Sequence, residues 1–335
     1  MKNSSAIRHF IIKHNFTMKK IIQIVLCFIA VNAFSHEVKP VPNPFFKLSP
    51  LSYYDDCDAC GCSANGGSMG FSSMLNNNFI GVRYFHQSYK SRDGVFNNSP
   101  WIDENFNTTQ IWGRIPVSKK IEITALLPYH FHRRIKSDNT ENINGIGDIT
   151  VMAFYTVFDN KKDSLTTLGH KILLGAGVKA PTGTYDSANN GSINPSFQVG
   201  TGSWDYSLAS EYIIRKNKWG LNTVLNYIFK TENKKNYKFG DQFNYGSTLF
   251  YATAIQKVIL VHQIGLAGET YTANKDHKEE VPFTKGDILF SKIGVEAGYK
   301  KFSAGINAML PINQNLTGGR VEANYRLAIN LNYTL

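Results

Sequence analysis

The chain has 335 residues, of which 36 are basic and 25 acidic, giving a formal net charge of +11. Five of the basic residues and none of the acidic ones lie in residues 1–35, which leaves 31 basic against 25 acidic residues, or +6, for the remainder. Much of this charge sits in Lys-Lys pairs, which indicate solvated turns and exclude a stripe that tracks phosphates. We therefore expect no nucleic-acid partner.

The N-terminus has the pattern of a secretory signal peptide. Two lysines precede an apolar run from Ile21 to Ala33, and small residues at Ala33 or Ser35 provide a cleavage site. The run is too short to span a bilayer. We assign residues 1–35 to the signal and leave the translation start open between Met1 and Met18.

Residues 36–75 form a short Cys/Gly-rich segment ahead of the fold. Cys57, Cys60 and Cys62 have the spacing C-x2-C-x-C. Three thiolates this close could hold Cu(I), or Zn(II) with a fourth ligand such as His36. The alternative is a structural disulfide in an oxidising compartment, with one thiol left over. We predict no other cofactor.

Ser68 lies in a G-x-S-x-G pattern in the same segment. A nucleophile elbow needs a strand before the serine and a helix after it, and the sequence predicts neither. We therefore predict no catalytic residue and no enzyme.

From residue 76 onward, apolar and polar residues alternate over long stretches. Ile121, Ile123 and Ala125, for example, face opposite Glu122 and Thr124. A strand with this period has one apolar and one polar face. Twelve strands are predicted, at residues 77–88, 105–117, 121–133, 147–158, 169–180, 203–215, 219–231, 241–256, 258–272, 286–299, 302–311 and 321–335.

The connections between these strands distinguish a soluble sandwich, which would bury the apolar face, from a membrane barrel, which would expose it to lipid. Tight connections such as Lys216-Asn217-Lys218 alternate with long ones. Short periplasmic turns and longer outer loops are typical of outer-membrane barrels. The long connections are predicted at residues 89–104, 134–146, 181–202, 232–240, 273–285 and 312–320. We therefore predict an all-β fold, an antiparallel transmembrane β-barrel of about 12 strands over residues 76–335.

Aromatic side chains near the strand ends are typical of the girdles at both membrane interfaces. They are Tyr89, Tyr129, Phe131, Tyr155, Trp204, Trp219, Phe229, Phe243, Tyr271, Tyr299, Phe302 and Tyr333.

The last strand supports the same location. Tyr325 to Leu335 alternates without a break and ends on a hydrophobic residue with an aromatic two places before it. This ending resembles the C-terminal insertion signal of outer-membrane barrels, although those usually finish in Phe. The resemblance implies the outer membrane of a Gram-negative bacterium, with the lipid bilayer and, during biogenesis, the barrel-assembly machinery as partners.

The polar strand faces predict a hydrated lumen of mixed charge. The predicted lining residues are Glu122, His130, His132, Lys179, Glu211, Glu269, Lys292, Glu296 and Arg326. His130 and His132, with His86 on a neighbouring strand, could bind a metal or an anion, or could line a polar mouth. The connection 181–202 could fold inward as a constriction or stay exposed.

Three motifs carry a family resemblance. They are Gly145-Ile146-Gly147-Asp148, Lys179-Ala180-Pro181-Thr182-Gly183 and Gly200-Thr201-Gly202-Ser203-Trp204-Asp205-Tyr206. In this order they resemble the barrel family named for the meta-pathway of phenol degradation. The resemblance implies an outer-membrane channel or transporter for small, often hydrophobic or aromatic, solutes. An alternative is a barrel that delivers or senses copper through its three cysteines.

Overall fold

The computed structural model describes residue 75 and residues 78–92, 98–160, 168–192 and 194–335. In these ranges the regular structure is β-strand, apart from two 3-10 turns at Ser187–Gly191 and Thr317–Gly319. The strands are β1 (Phe79–Arg92), β2 (Trp101–Pro116), β3 (Ile121–Ile135), β4 (Thr140–Ile146), β5 (Ile149–Asp159), β6 (Gly169–Ala180), β7 (Asp205–Lys216), β8 (Trp219–Phe229), β9 (Tyr237–Lys238), β10 (Gln242–Ile255), β11 (Val258–Tyr271), β12 (Lys275–Asp276), β13 (Glu279–Glu280), β14 (Gly286–Tyr299), β15 (Phe302–Leu316) and β16 (Val321–Thr334). The same ranges contain no helix long and apolar enough to cross a membrane.

The long strands form one closed antiparallel sheet. Each pairs with the next long strand along the chain, and β1 also pairs with β16. β4 and β5 pair with successive parts of β3 and together make one interrupted crossing. The barrel therefore has twelve crossings, which confirms the predicted fold class. Closure provides hydrogen-bond partners for backbone groups that hydrocarbon could not satisfy.

The two faces of the sheet differ in polarity. In β16, Ile329 and Leu331 are 53% and 57% exposed, whereas Asn330 and Asn332, which alternate with them, are buried. A soluble sandwich would show the reverse distribution. The apolar face is therefore on the outside of the barrel, where it contacts lipid.

The connections at one end of the barrel are mostly tight, and we call this the far end. Asn217 and Lys300 adopt left-handed backbone angles there, with φ of 56° and 55°, as tight hairpin turns between twisted strands require. The remaining connections belong to the opposite end, which we call the mouth. The longest of them are residues 181–204, 230–241 and 272–285, whereas residues 136–139 and 317–320 are short turns at the same end.

Three connections that the sequence predicts at 89–104, 134–146 and 312–320 are shorter in the structure, at 93–100, 136–139 and 317–320. The strands around them extend toward the mouth, and β4 pairs with β3 within the second of them. In these extensions outward-facing residues are polar; Lys90, for example, forms an ion pair of 2.9 Å with Glu322. Strands that project beyond the lipid need no apolar face, so the alternation on which the prediction rests ends before the strands do.

The aromatic girdle was predicted wrongly at two positions. Tyr89 and Tyr271 point into the lumen, where both belong to a hydrogen-bonded cluster around Glu269 and Arg326. Other members of the set, such as Trp204, are more than half exposed on the outer surface.

Two connections at the mouth, 230–241 and 272–285, form a separate small sheet that we call the cap. It contains β9, β12 and β13. Tyr237 and Phe239 are buried in it with their ring centroids 5.0 Å apart, and the Asn274 amide donates to the Tyr237 hydroxyl at 2.8 Å. Burial raises the pKa of Tyr237 to about 12.

Candidate functional site

The lumen holds the candidate functional residues. Of the nine predicted lining residues, Glu122 is partly exposed and the other eight are buried on the inner face. Sequence reasoning did not assign further charged residues to this face, among them Arg83, Glu104, Arg114, Arg134 and Lys171. The period of two along a strand identifies Arg134, which lies two residues after His132.

The three glycine-rich motifs meet in one buried ionic cluster, which we call the clasp: Asp148, Lys179 and Asp205. The Lys179 ammonium lies 3.0 Å from Asp148 and 2.6 Å from Asp205, and the three side chains are at most 5% exposed. The Asp148 carboxylate also accepts the backbone N–H groups of Gly183 and Thr201, both at 2.9 Å. One lysine cannot neutralise two carboxylates, so these N–H donors stabilise the remaining negative charge. A buried charge needs hydrogen bonds as well as an ion partner.

Other motif residues attach the chain around the clasp. The Thr182 hydroxyl donates to the Gly147 carbonyl at 2.7 Å, and the Ser203 hydroxyl donates to the Asp205 carboxylate at 2.9 Å. Pro181 directly follows β6 and has no N–H group with which to continue the ladder. The motifs thus fix both ends of the connection 181–204, which we call the constricting loop.

The motif glycines allow close approach of backbone segments. A Cβ atom on Gly200 would overlap the backbone of Gly183 across the loop. Gly202 has a φ of 69°, in the left-handed region that side chains disfavour. Gly145 lies against Val199, so that a Cβ atom there would be 3.3 Å from the valine side chain.

The constricting loop folds into the mouth of the barrel, which is one of the two alternatives left open by the sequence. Arg134 pairs with Glu104 at 2.7 Å, and Asn194 of the loop donates to the same carboxylate at 2.6 Å. The Arg134 guanidinium also donates to the Asn194 carbonyl at 3.2 Å and stacks on the Phe197 ring at 4.0 Å. Phe197 is buried against Phe106 of the barrel wall, with ring centroids 5.9 Å apart.

A second buried ion pair lies beside the loop. Arg326 donates to both oxygens of Glu269, at 2.5 and 3.0 Å, and to the Tyr89 hydroxyl at 2.9 Å. Tyr271 donates to the same carboxylate, and the Arg326 guanidinium lies 4.3 Å from the Phe290 ring centroid. Such a bidentate, fully hydrogen-bonded pair is rigid.

Toward the far end the lumen is lined by a network of paired charges. Arg114 lies 3.4 Å from Glu122 and 3.9 Å from Glu211, and Lys171 lies 3.8 Å from Glu122. Asn222 donates to Glu211 at 2.6 Å. Glu296 accepts the Ser303 hydroxyl at 2.8 Å, and Lys292 is buried on the same wall.

Only two of the three histidines lie close together. His130 and His132 share the inner face, with ring centroids 4.9 Å apart. His130 is hydrogen-bonded to Thr108 at 2.8 Å. His86 lies on the outer face, 5.7 Å from the ring of Tyr325, so it cannot join the other two. In the described part of the chain, no group of three or more His, Cys, Asp or Glu side chains could hold a metal ion.

Cys57, Cys60, Cys62 and Ser68 lie outside the described residues, as does the predicted signal peptide. Copper or zinc binding at the three cysteines stays a prediction.

Comparison with solved structures supports the barrel fold. An outer membrane channel from Pseudomonas putida F1 is 15% identical with a TM-score of 0.59, over 76% of this chain and 94% of that one. The β-domain of the Bordetella autotransporter BrkA is 12% identical with a TM-score of 0.44, over 77% and 99%. A Pseudomonas aeruginosa FadL homologue is 10% identical with a TM-score of 0.39, over 77% and 91%. No curated relative matches the sequence.

The closed sheet, apolar outside and polar inside, is that of an outer-membrane β-barrel protein of a Gram-negative bacterium. Residues 117–300, more than half of the chain, match the family described as MetA-pathway of phenol degradation. The chain belongs to this family, which confirms the resemblance predicted from the three motifs. The matched range contains the whole clasp and the constricting loop.

Proposed function

We propose that the protein is an outer-membrane channel through which small solutes pass passively. The observation that carries the proposal is the polar inner wall, which extends from Arg326 and Glu269 near the mouth to Glu296 near the far end. Charged and amide side chains on this wall can hydrate a path past its apolar clusters, one of which contains Leu126, Met152 and Phe154. Most of these charges are paired, so the pore has no strong electrostatic potential of one sign. Selection among solutes therefore depends more on their size and on local contacts.

The constricting loop provides the selective step. It enters the mouth and is held there by the clasp and by the pair Glu104–Arg134. A loop that narrows the lumen limits passage to small solutes, because larger ones cannot pass the remaining space.

A cavity of about 90 Å³ beside the loop supports the finer proposal of hydrophobic or aromatic solutes. Its wall includes the rings of Tyr89, Phe106 and Phe239. Binding sites for small organic molecules are mostly lined by such apolar and aromatic groups, with a few polar ones that fix orientation. The family description, phenol degradation, supports the same class of solute.

Single-channel recording of the purified protein in a planar bilayer tests the proposal. We expect small, discrete conductance steps, and partial block of the ion current by single-ring aromatic solutes but not by glucose. A variant in which a short glycine linker replaces residues 186–198 should conduct more. A barrel that folds, as judged by circular dichroism, but conducts neither with nor without the loop would contradict the proposal.

A further inference from the structure

We propose that the solute path below the mouth runs along one sector of the lumen, the inner face of β14, β15 and β16. Three asparagines of this sector, Asn307, Asn330 and Asn332, form what we call the amide track. The inference rests on the proposed channel function and names the residues that select solutes between the mouth and the far end. It follows from the positions of the apolar clusters, the glycines beneath the amides and two unsatisfied polar groups.

Apolar side chains line the other sectors of the lumen toward the far end. One buried cluster extends over β1 to β7 and includes Trp112 and Phe154, and a second includes Phe250 and Val261 of β10 and β11. Val224 of β8 packs against both clusters. In the described part of the chain, the two clusters therefore involve nine of the twelve crossings and leave out β14, β15 and β16. Narrow apolar spaces exclude water and ions, so the remaining sector is the one suited to a hydrated path.

Each amide of the track lies over a glycine of the neighbouring strand. The directly opposed pairs are Asn307 with Gly294, Asn330 with Gly305 and Asn332 with Gly81. A Cβ atom on any of these glycines would overlap the side-chain oxygen of its asparagine. The amides therefore lie along the wall and do not project across the lumen.

Two of these amides have hydrogen-bonding groups that the protein leaves unused. Asn330 Nδ2 and Asn332 Oδ1 are buried, and neither has a partner among the residues that the structure describes. The other end of the Asn332 amide donates to the Ser303 hydroxyl at 3.3 Å. Buried polar groups are normally hydrogen-bonded, so this donor and this acceptor are expected to bind water or a polar group of a passing solute.

The track continues from the cavity beside the constricting loop. Val321 and Arg326 of β16 line that cavity. Below Arg326, the inner side chains of the same strand are Ala328, Asn330 and Asn332. A solute that leaves the cavity along β16 thus meets small, neutral side chains, which exchange hydrogen bonds with a hydroxyl or carbonyl group without a fixed charge.

Leu75 bounds the track at the far end. A Cβ atom on Gly298 of β14 would be 2.8 Å from the Leu75 side chain, and Leu75 also packs against the cluster that contains Phe250. The exit of the path therefore lies beside β15 and β16.

Cysteine accessibility in single-channel recordings tests the track. Asn330→Cys is made in the full-length protein with Cys57→Ser, Cys60→Ser and Cys62→Ser, and a methanethiosulfonate reagent is added to the conducting channel. We expect conductance to fall by about half, because the attached group narrows the path. Asn244→Cys is the matched control, since Asn244 is also a buried inner amide but lies on β10; its modification should leave conductance nearly unchanged.

A charge substitution provides a second measurement that needs no thiol, and it carries the test if Asn330→Cys does not fold. Asn330→Asp keeps the size of the side chain and places a negative charge on the path. The reversal potential in a KCl gradient should therefore shift toward cation selectivity, and Asn244→Asp should shift it less. Equal responses at the two positions, or no response at Asn330 in folded variants, would overturn the track.

The result is separable from the channel function. A barrel that conducts but is insensitive to changes at Asn330 overturns this inference and leaves the channel. If no variant conducts, the channel is overturned, and labelling by a water-soluble maleimide in detergent decides the track. Reaction of Asn330→Cys but not of Asn244→Cys would support a hydrated track, and no reaction at either position would overturn it.

Discussion

The constricting loop and the cap lie at the same mouth but are stabilised in different ways. The loop is attached by buried ionic groups, the clasp and the pair Glu104–Arg134. The cap has its own strand pairing and an aromatic centre formed by Tyr237 and Phe239. The cap resembles a small soluble sheet, whereas the loop depends on the barrel wall.

This difference follows from the polarity of the lumen. A segment that enters a lumen with many buried charged and amide groups must satisfy them, so its position is specified by hydrogen bonds and ion pairs as well as by apolar contacts such as that of Phe197 with Phe106. A segment above the barrel is free to bury its own rings. We therefore expect damage to the clasp to change conductance, and damage to the cap to change mainly local stability.

The largest effect is expected from Lys179→Met. The substitution leaves Asp148 and Asp205 buried without their cation, so the free energy of unfolding should fall by roughly 3–5 kcal/mol. Conductance should rise because the loop loses its attachment. Urea unfolding in detergent and single-channel recording measure the two effects.

A triple variant provides the control for this change. Adding Asp148→Asn and Asp205→Asn to Lys179→Met removes the unpaired charges and should recover part of the stability. If Lys179→Met changed neither stability nor conductance, the clasp would not hold the loop.

Gly200→Ala should have the next largest effect. Its Cβ atom would overlap the Gly183 backbone, and such overpacking costs about 1–3 kcal/mol. We expect lower stability and a modest rise in conductance, because the two ends of the loop are forced apart. Gly169→Ala is the matched control, since a Cβ atom there lies 3.8 Å from its nearest neighbour, the Arg215 carbonyl; equal effects of the two substitutions would argue against this reason.

Tyr237→Phe removes the hydroxyl that accepts from Asn274 and should cost the cap about 1 kcal/mol with no change in conductance. The folded-state pKa of about 12 lies above the ordinary 10.0 because burial favours the neutral phenol. Wild-type cap stability should therefore be constant below pH 10 and fall as the pH rises toward 12. The variant should lack this decline in near-UV circular dichroism, and a decline of equal size in both proteins would show that another group titrates.

The smallest effect is expected from Lys238→Met. Lys238 and Asp241 form a partly exposed pair in the cap, and such pairs contribute at most about 1 kcal/mol. Thermal unfolding should hardly shift, and conductance should equal that of the wild type. A loss as large as that of Lys179→Met would remove the distinction between the two regions.

The sequence predicted the membrane-crossing strands well. β6 and β14 have the predicted bounds, and other crossings differ mainly at their mouth ends. Lipid on one side and water on the other impose a period of two over each crossing, and this period is visible in a single sequence. Beyond the lipid the constraint ends, which is why the extensions of β1, β2 and β15 and the pairing of β4 were missed.

The candidate site was predictable in part. The alternation along each strand predicted that residues such as Glu269 and Arg326 lie on the inner face. It could not predict that they pair, because the two lie 57 positions apart in the chain. The inward position of Tyr89 was missed because aromatic residues occur on both faces of β1, with Tyr84 outside and Phe85 inside.

The sequence by itself determined the number of crossings, the polarity of each face and, through three short motifs, the family. Only the tertiary structure decided that these motifs form one buried clasp and that the loop between them enters the lumen. Alternation along a strand is a local property set by the solvent on each side. Contacts across the lumen depend on barrel closure and on the register of distant strands, which no local pattern encodes.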